Sequence, residues 1–189
     1  MPDSGSDSGG GGKPVVRLSF EDPFAAPASE RRLDRRLRGR LVAPVTIWTA
    51  ASAEPGGRPE RAGLTISSLL VAEGDPAAIL AVVDPLSELH ELAQSSGQLV
   101  VHVLGGGDEP LARLFAGAYP VDPFDEVAWA PDDFGPVLEG DRHVIRCRFS
   151  GSETSGFQAL VRAEIVSAEL SPAATEPLAW YHGSYRTLA

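Results

Sequence analysis

Sulfur is nearly absent from this chain, which has one cysteine and one methionine in 189 residues. The lone Cys147 excludes an intramolecular disulfide framework and a multi-cysteine metal site, and its apolar strand-like surroundings predict a buried structural thiol. Histidines number four, at positions 90, 102, 143 and 182. Their spacings match no metal-ligand pattern, so no metal is expected. Basic residues are also short, 16 against 26 acidic, leaving a net charge of -10. That charge repels phosphate backbones and argues against nucleic acid as a partner. No apolar run reaches the ~20 residues a spanning helix needs, so no membrane role is expected. Gly-x-Ser-x-Gly and a complete phosphate loop are missing, since Gly105-Gly106-Gly107 lacks the following Lys and Ser or Thr. Asp132-Asp133 has no partner acid placed opposite it for glycoside chemistry. The first 12 residues lack the basic and apolar regions of a secretory signal, and the expected location is the cytoplasm.

What is present fits one domain, because a chain of this length buries roughly 70% of its unfolded surface. Residues 1–28 are expected to form a disordered or extended tail and residues 29–189 the folded domain. Ser29 to Gly39 reads as a short basic amphipathic helix with Leu33 and Leu37 four apart. Its arginines are either a solvated face or a contact surface for an anionic ligand or partner. Leu41 to Ala50 reads as a strand that Pro44 puts at an edge or bulge. Ser52 to Ala62, rich in Gly, Pro and charge, is an exposed connection. Leu64 to Val71 and Ala78 to Val83 read as a hairpin around Glu73-Gly74-Asp75-Pro76. A helix over 87–95 ends at Gly97, Leu99 to Leu104 is a strand, and Glu109 to Gly117 is a second helix. The pattern loosens after Tyr119. His143 to Phe149 then pairs with Phe157 to Leu170 through a turn over Ser150 to Gly156. Many strands joined by short helices favour an antiparallel barrel over an alternating α/β sheet.

The same order of elements, from Gly63-Leu64-Thr65 through Asp84-Pro85-Leu86-Ser87 and Val101-His102-Val103-Leu104, closes on Pro177-Leu178-Ala179-Trp180-Tyr181-His182-Gly183-Ser184-Tyr185-Arg186-Thr187-Leu188. That ending resembles the Pro-Leu-Val-Tyr-Phe-x-x-x-Tyr-Arg-x-Leu ending of the flavin reductase-like family, and the resemblance spans most of residues 40 to 189. It implies a mainly β fold, an FMN-binding split antiparallel barrel with short peripheral helices, working as a homodimer. The implied cofactor is FMN, with FAD as the alternative, and the implied electron donor is NADH or NADPH.

A flavin site needs polar donors at the ring edge and phosphate together with apolar walls, and it needs no protein nucleophile. The resemblance places Thr65, Ser67 and Ser68 beside the flavin, although ordinary cross-strand hydrogen bonding also accounts for them. It sets Ser87 and a helix start against the phosphate. There Asp84 and Glu88 are unfavourable neighbours, for which Arg61, Arg186 or an arginine of the 31–40 helix would have to compensate; N-capping by Ser87 is the plain alternative. His102 stands where the family commonly has Asn, and a structural histidine is the other reading. Gln158 stands where many members have a His at the nicotinamide face, and Gln does not titrate near neutral pH. Tyr185 and Arg186 would reach the cofactor or the dimer partner. The expected function is an FMN-binding NAD(P)H-dependent flavin reductase, with a monooxygenase as candidate consumer of the diffusing reduced flavin. The alternative is a flavin- or other ligand-binding module with little reductase activity, and a third reading is a structural dimer with an empty cleft. No catalytic side chain is identified.

Overall fold

The computed structural model describes residues 33–52, 60–172 and 176–188. The expected tail over 1–28 and the start of the helix at Ser29 lie outside the described residues. In chain order the elements are α1 (Leu33–Arg38), β1 (Ala43–Pro44), β2 (Thr46–Ala51), β3 (Arg61–Ile66), β4 (Leu70–Ala72), β5 (Ala78–Val83), α2 (Glu88–Ser96) and β6 (Gln98–Val103). They continue with α3 (Glu109–Phe115), β7 (Trp129–Ala130), β8 (Val137–Leu138), β9 (His143–Ser155), β10 (Gln158–Glu169), β11 (Leu178–Tyr181) and β12 (Ser184–Thr187). Short 3-10 turns at Gly106–Asp108 and Pro123–Asp125 complete the chain's regular structure among the described residues.

Seven strands form one antiparallel sheet in the order β3-β2-β6-β9-β10-β5-β4. Its two edges, β3 and β4, are separated in sequence only by Ser67, Ser68 and Leu69. Four Cα steps span at most about 14 Å, whereas seven flat strands would be about 29 Å across. The sheet therefore has to curl until its edges nearly meet. Ser68 extends the β4–β5 ladder at the seam, its Oγ donating to Val82 O at 2.8 Å and accepting from Val82 N at 3.1 Å. The result is a split antiparallel barrel. The single strand expected over Leu64 to Val71 is thus two strands on opposite edges, because the chain must cross the seam where Ser67 interrupts the apolar run.

The barrel interior is filled by Trp48, Ile66, Ile79, Val83, Leu99, Val101, Cys147 and Val161. Helix α2 plugs it with Leu89, Leu92 and Ala93, capped by Ser87 at its start and by Gly97 in the left-handed region (φ 72°) at its end. Cys147 is fully buried, and burial pushes its thiol up to about 12, so it is inert packing. A second core lies outside the barrel against β2 and β3, made by Val45, Ile47, Leu104, Phe115, Phe124, Leu138 and Leu178. Gly63 permits α3 to sit here, since a Cβ on it would come within 2.6 Å of the Phe115 ring.

The strand expected over 41–50 divides at Pro44. Pro44 ends β1, which pairs with β11 in a separate three-stranded sheet, β1-β11-β12. The turn expected over Ser150 to Gly156 is instead strand as far as Ser155, and the chain reverses at Gly156 and Phe157. Ser152, Glu153 and Thr154 read as turn residues because neither face of that stretch is apolar; pairing to β10 holds them extended. The loosened stretch after Tyr119 contributes buried Phe124 and Leu138 to the outer core.

Candidate functional site

One end of β5 gathers several of the residues singled out in the sequence. Ala159 lies opposite Val83, so Gln158 faces Asp84 on the β10 side. Ser68 bonds to Val82, so Ser67 lies beside Val83 on the β4 side. Ser67, the end of β5 and Gln158 consequently form a row about 10 Å wide at the ~4.8 Å strand spacing. Ser87 is held at the same end, its Oγ donating to Asp84 O at 2.7 Å and accepting from His90 N at 3.3 Å. Arg38 reaches in from α1, Nη2 donating to Ser67 Oγ at 3.2 Å.

A face of the barrel that no described helix covers adjoins this row. On β5, Ile79, Ala81 and Val83 point into the core, so Leu80 and Val82 point outward; on β10, Ala159, Val161 and Ala163 are buried and Leu160 points outward. Leu80, Val82 and Leu160 are only half-buried, and Leu70 on the adjacent edge is 67% exposed. Helix α3 and the outer core cover β2 and β3 but leave this side open. Sequence reasoning missed this wall. Its signal was the unbroken apolar run Ala-Ile-Leu-Ala-Val-Val of β5, which implies cover on both faces.

The remaining residues singled out in the sequence lie elsewhere. Thr65 turns toward α3, its Oγ1 donating to Ala112 O at 2.7 Å. His102 is fully buried between sheets, with Nδ1 bonded to Ile47 O at 3.2 Å and Nε2 accepting from Leu138 N at 3.1 Å. Burial lowers its pKa to about 4, assisted by the positive charges of Arg142 and Arg146 and opposed by the Ile47 bond, so both ring nitrogens serve the fold. Tyr185 stacks edge-on against Trp180 at 4.8 Å and lies under the Arg113 guanidinium. Burial raises its pKa. Arg186 is exposed on β12.

Electrostatics separate two regions. A cleft of about 690 Å³ is lined by Glu60, Glu88, Glu91, Asp122, Asp125 and Leu92, with Arg61 as its one cation among the described residues. Arg61 is already spent on Asp122 and Asp125, both at 3.1 Å, and lies 5.3 Å from the Phe124 and Trp129 ring centres. This cleft repels a phosphate, and Arg61 does not supply the compensating charge at Ser87. Arg38 is the arginine that approaches the row.

The chain is thus a split antiparallel barrel with short peripheral helices. Residues 38–189 match the model of the flavin reductase like domain. The chain belongs to that family. It is 29% identical over 171 residues to an NADH:riboflavin 5'-phosphate oxidoreductase of Streptomyces pristinaespiralis, covering 88% of this chain and 93% of that one. It is also 29% identical over 176 residues to the FMN reductase (NADH) RutF of Methylorubrum extorquens, covering 92% and 83%. Among solved structures, the NADH:FAD oxidoreductase SgcE6 of Streptomyces globisporus superimposes with a TM-score of 0.74 at 26% identity, over 86% of this chain and 96% of that one. The styrene monooxygenase flavin reductase of Pseudomonas putida S12 shares the fold, with a TM-score of 0.70 at 18% identity over 82% and 97% of the two chains.

Proposed function

We propose that this chain is an NAD(P)H-dependent flavin reductase that takes FMN or FAD at the β5 end, with Ser67, Ser68, Ser87 and Gln158 as its polar contacts. The observation that carries this reading is the half-buried apolar wall of Leu80, Val82 and Leu160 beside a row of hydroxyl and amide groups, in a member of this family. The residues fit a flavin: the wall suits the flat ring system and the polar row its edge. A bound flavin supplies the chemistry, accepting the hydride of the reduced nicotinamide. The chain's own work is to orient the two rings and keep water out. Gln158 offers amide donors and an acceptor that orient a carboxamide without moving a proton. Ser87, as the cap of α2, holds the helix start near the flavin phosphate. Thr65, His102 and Tyr185 act as positioning residues, tying α3, β8 and the C-terminal hairpin to the barrel, and Arg186 is left for the ligand or a second copy.

The uncovered wall and the exposed Leu70 and Val71 of β4 support a homodimer in which a second copy completes the site. Relatives named as components of styrene monooxygenase and of a tryptophan halogenase support a consumer enzyme, a monooxygenase, fed by diffusing reduced flavin in the cytoplasm. A flavin-binding module with little reductase activity is the second reading, favoured by Asp84 and Glu88 beside Ser87 and by the non-titrating Gln158. Anaerobic titration with FMN, then NADH and NADPH, separates the two. Binding followed by rapid bleaching of flavin absorbance is expected; binding without bleaching selects the module, and no binding refutes both.

A further inference from the structure

The arginines of this acidic chain divide into two populations. Arg61, Arg113, Arg142, Arg146 and Arg148 each pair with a carboxylate. The side chains of Arg35, Arg36, Arg38, Arg40, Arg162 and Arg186 have no carboxylate partner among the described residues. All of these but Arg162 belong to two segments, 35–44 and 177–188, that contain no Asp or Glu and that β1 and β11 join into one small sheet. Beyond that ladder, His182 N donates to Gly39 O at 2.8 Å. Arg38 and Arg40 flank the acceptor, and Tyr181 adjoins the donor. The Tyr181 and His182 rings lie 4.4 Å apart at 46°, both exposed at the hairpin tip.

His182 is the one described non-glycine residue with positive φ, at 52°. Gly, Asn or Asp would adopt that conformation at less cost. With Gly183 at φ 76°, His182 forms the two-residue turn between Tyr181 and Ser184, and it presents its ring to solvent. Unpaired arginines recognise phosphate through paired N–H donors, and an exposed ring beside them offers a stacking surface for a base. Through the Arg38 bond to Ser67 this patch is continuous with the β5 row.

We propose that Arg38, Arg40, Tyr181 and His182 seat the adenosine diphosphate half of a dinucleotide, arginines on the phosphates and the ring pair on the adenine. Its source is either the reduced nicotinamide donor or FAD. This rests on the flavin reductase reading for the identity of the dinucleotides, but its first test does not.

Isothermal titration of the full chain with ADP-ribose, which carries neither nicotinamide nor flavin, is expected to show binding that weakens with salt. The affinity should fall at least tenfold in Arg40→Ala and in Tyr181→Ala/His182→Gly, with Arg40→Lys falling less than Arg40→Ala. No binding at millimolar ADP-ribose, or unchanged affinity in these variants, overturns the proposal. Steady-state and binding assays then name the source. A raised KM for NADH with unchanged FAD affinity assigns the patch to the donor; weaker FAD with unchanged KM for NADH assigns it to the flavin. If instead Arg38→Ala and Arg40→Ala weaken FMN and ADP-ribose is unaffected, the arginines serve the flavin monophosphate and the proposal fails. Failure of FMN to bind at all would refute the reductase reading while leaving the ADP-ribose result standing.

Discussion

The imidazole of His102 accepts the backbone N–H of Leu138 at 3.1 Å with no exposure to solvent. That bond depends on a neutral ring. Unfolded, the group titrates near 6.5; folded, at about 4. Between those values the unfolded chain binds more protons, so stability rises with pH through the window and is lost on acidification from 6.5 toward 4. The loss amounts to about 3 kcal/mol at most. Urea denaturation at pH 7.5, 5.5 and 4.5 should show it, and His102→Asn should flatten the dependence. An equal slope in the variant would assign the acid sensitivity elsewhere.

Gly63 and Gly97 are expected to fail for different reasons when changed to Ala. At Gly63 the new methyl meets the Phe115 ring at 2.5 to 2.6 Å, and overpacking costs about 1–3 kcal/mol. At Gly97 it meets nothing within 4 Å, so only the left-handed backbone resists, at roughly 1 kcal/mol. Thermal denaturation of both variants, with Phe115→Leu as a second change, checks this. The smaller ring-free side chain should restore part of the Gly63→Ala loss and none of the other.

Arg61 supports the outer core more by packing than by charge. Its ion-pair partners Asp122 and Asp125 are 47% and 66% exposed, so the pairs are weak, whereas its guanidinium lies near two aromatic rings. Arg61→Ala should cost about 2 kcal/mol, Arg61→Met clearly less, and Asp125→Asn almost nothing. A large Asp125→Asn effect in chemical denaturation would reverse this ranking.

Ser87→Asp should weaken FMN binding at least tenfold while leaving the melting temperature nearly unchanged, because Asp caps a helix as well as Ser does and brings charge against the phosphate. Ser87→Ala should show the opposite balance, losing about 1 kcal/mol of stability with a small change in affinity. Fluorescence quenching and thermal melts on the same samples separate the two effects.

Gln158→His introduces a titratable group at the end of the β5 row. NADH oxidation at saturating flavin should increase and acquire a pH dependence near 6.5. Rates that stay flat would place the determinant of hydride transfer outside this position.

Strand β6 was legible as a short apolar run resuming after the helix stop at Gly97, with both of its faces buried. The break at Ser67 was not, since Thr65 and Ser67 alternate with Leu64 and Ile66 as they would in one continuous strand, and only the three-dimensional seam requires an interruption. Ser152 to Thr154 misled in the other direction, because polar residues on a protruding hairpin carry turn composition while ladder pairing keeps them extended. Ser67, Ser68, Ser87 and Gln158 were named separately through resemblance in element order, and the fold brings them to one end of β5. His102 shows the limit of that route: type and position alone do not tell a ligand contact from a buried bridge, and its Leu138 partner lies 36 residues away. The outward residues of β5 were hidden because an all-apolar strand does not announce which of its faces lacks cover.

Joining the two outermost strands of a sheet through three residues also governs how molecules of this protein meet. A long free strand edge is a template on which further chains can add. Here each edge is turned toward the other, and β4, only three residues long, gives an intruding strand little to register against. Open-ended strand addition at these edges is thereby disfavoured.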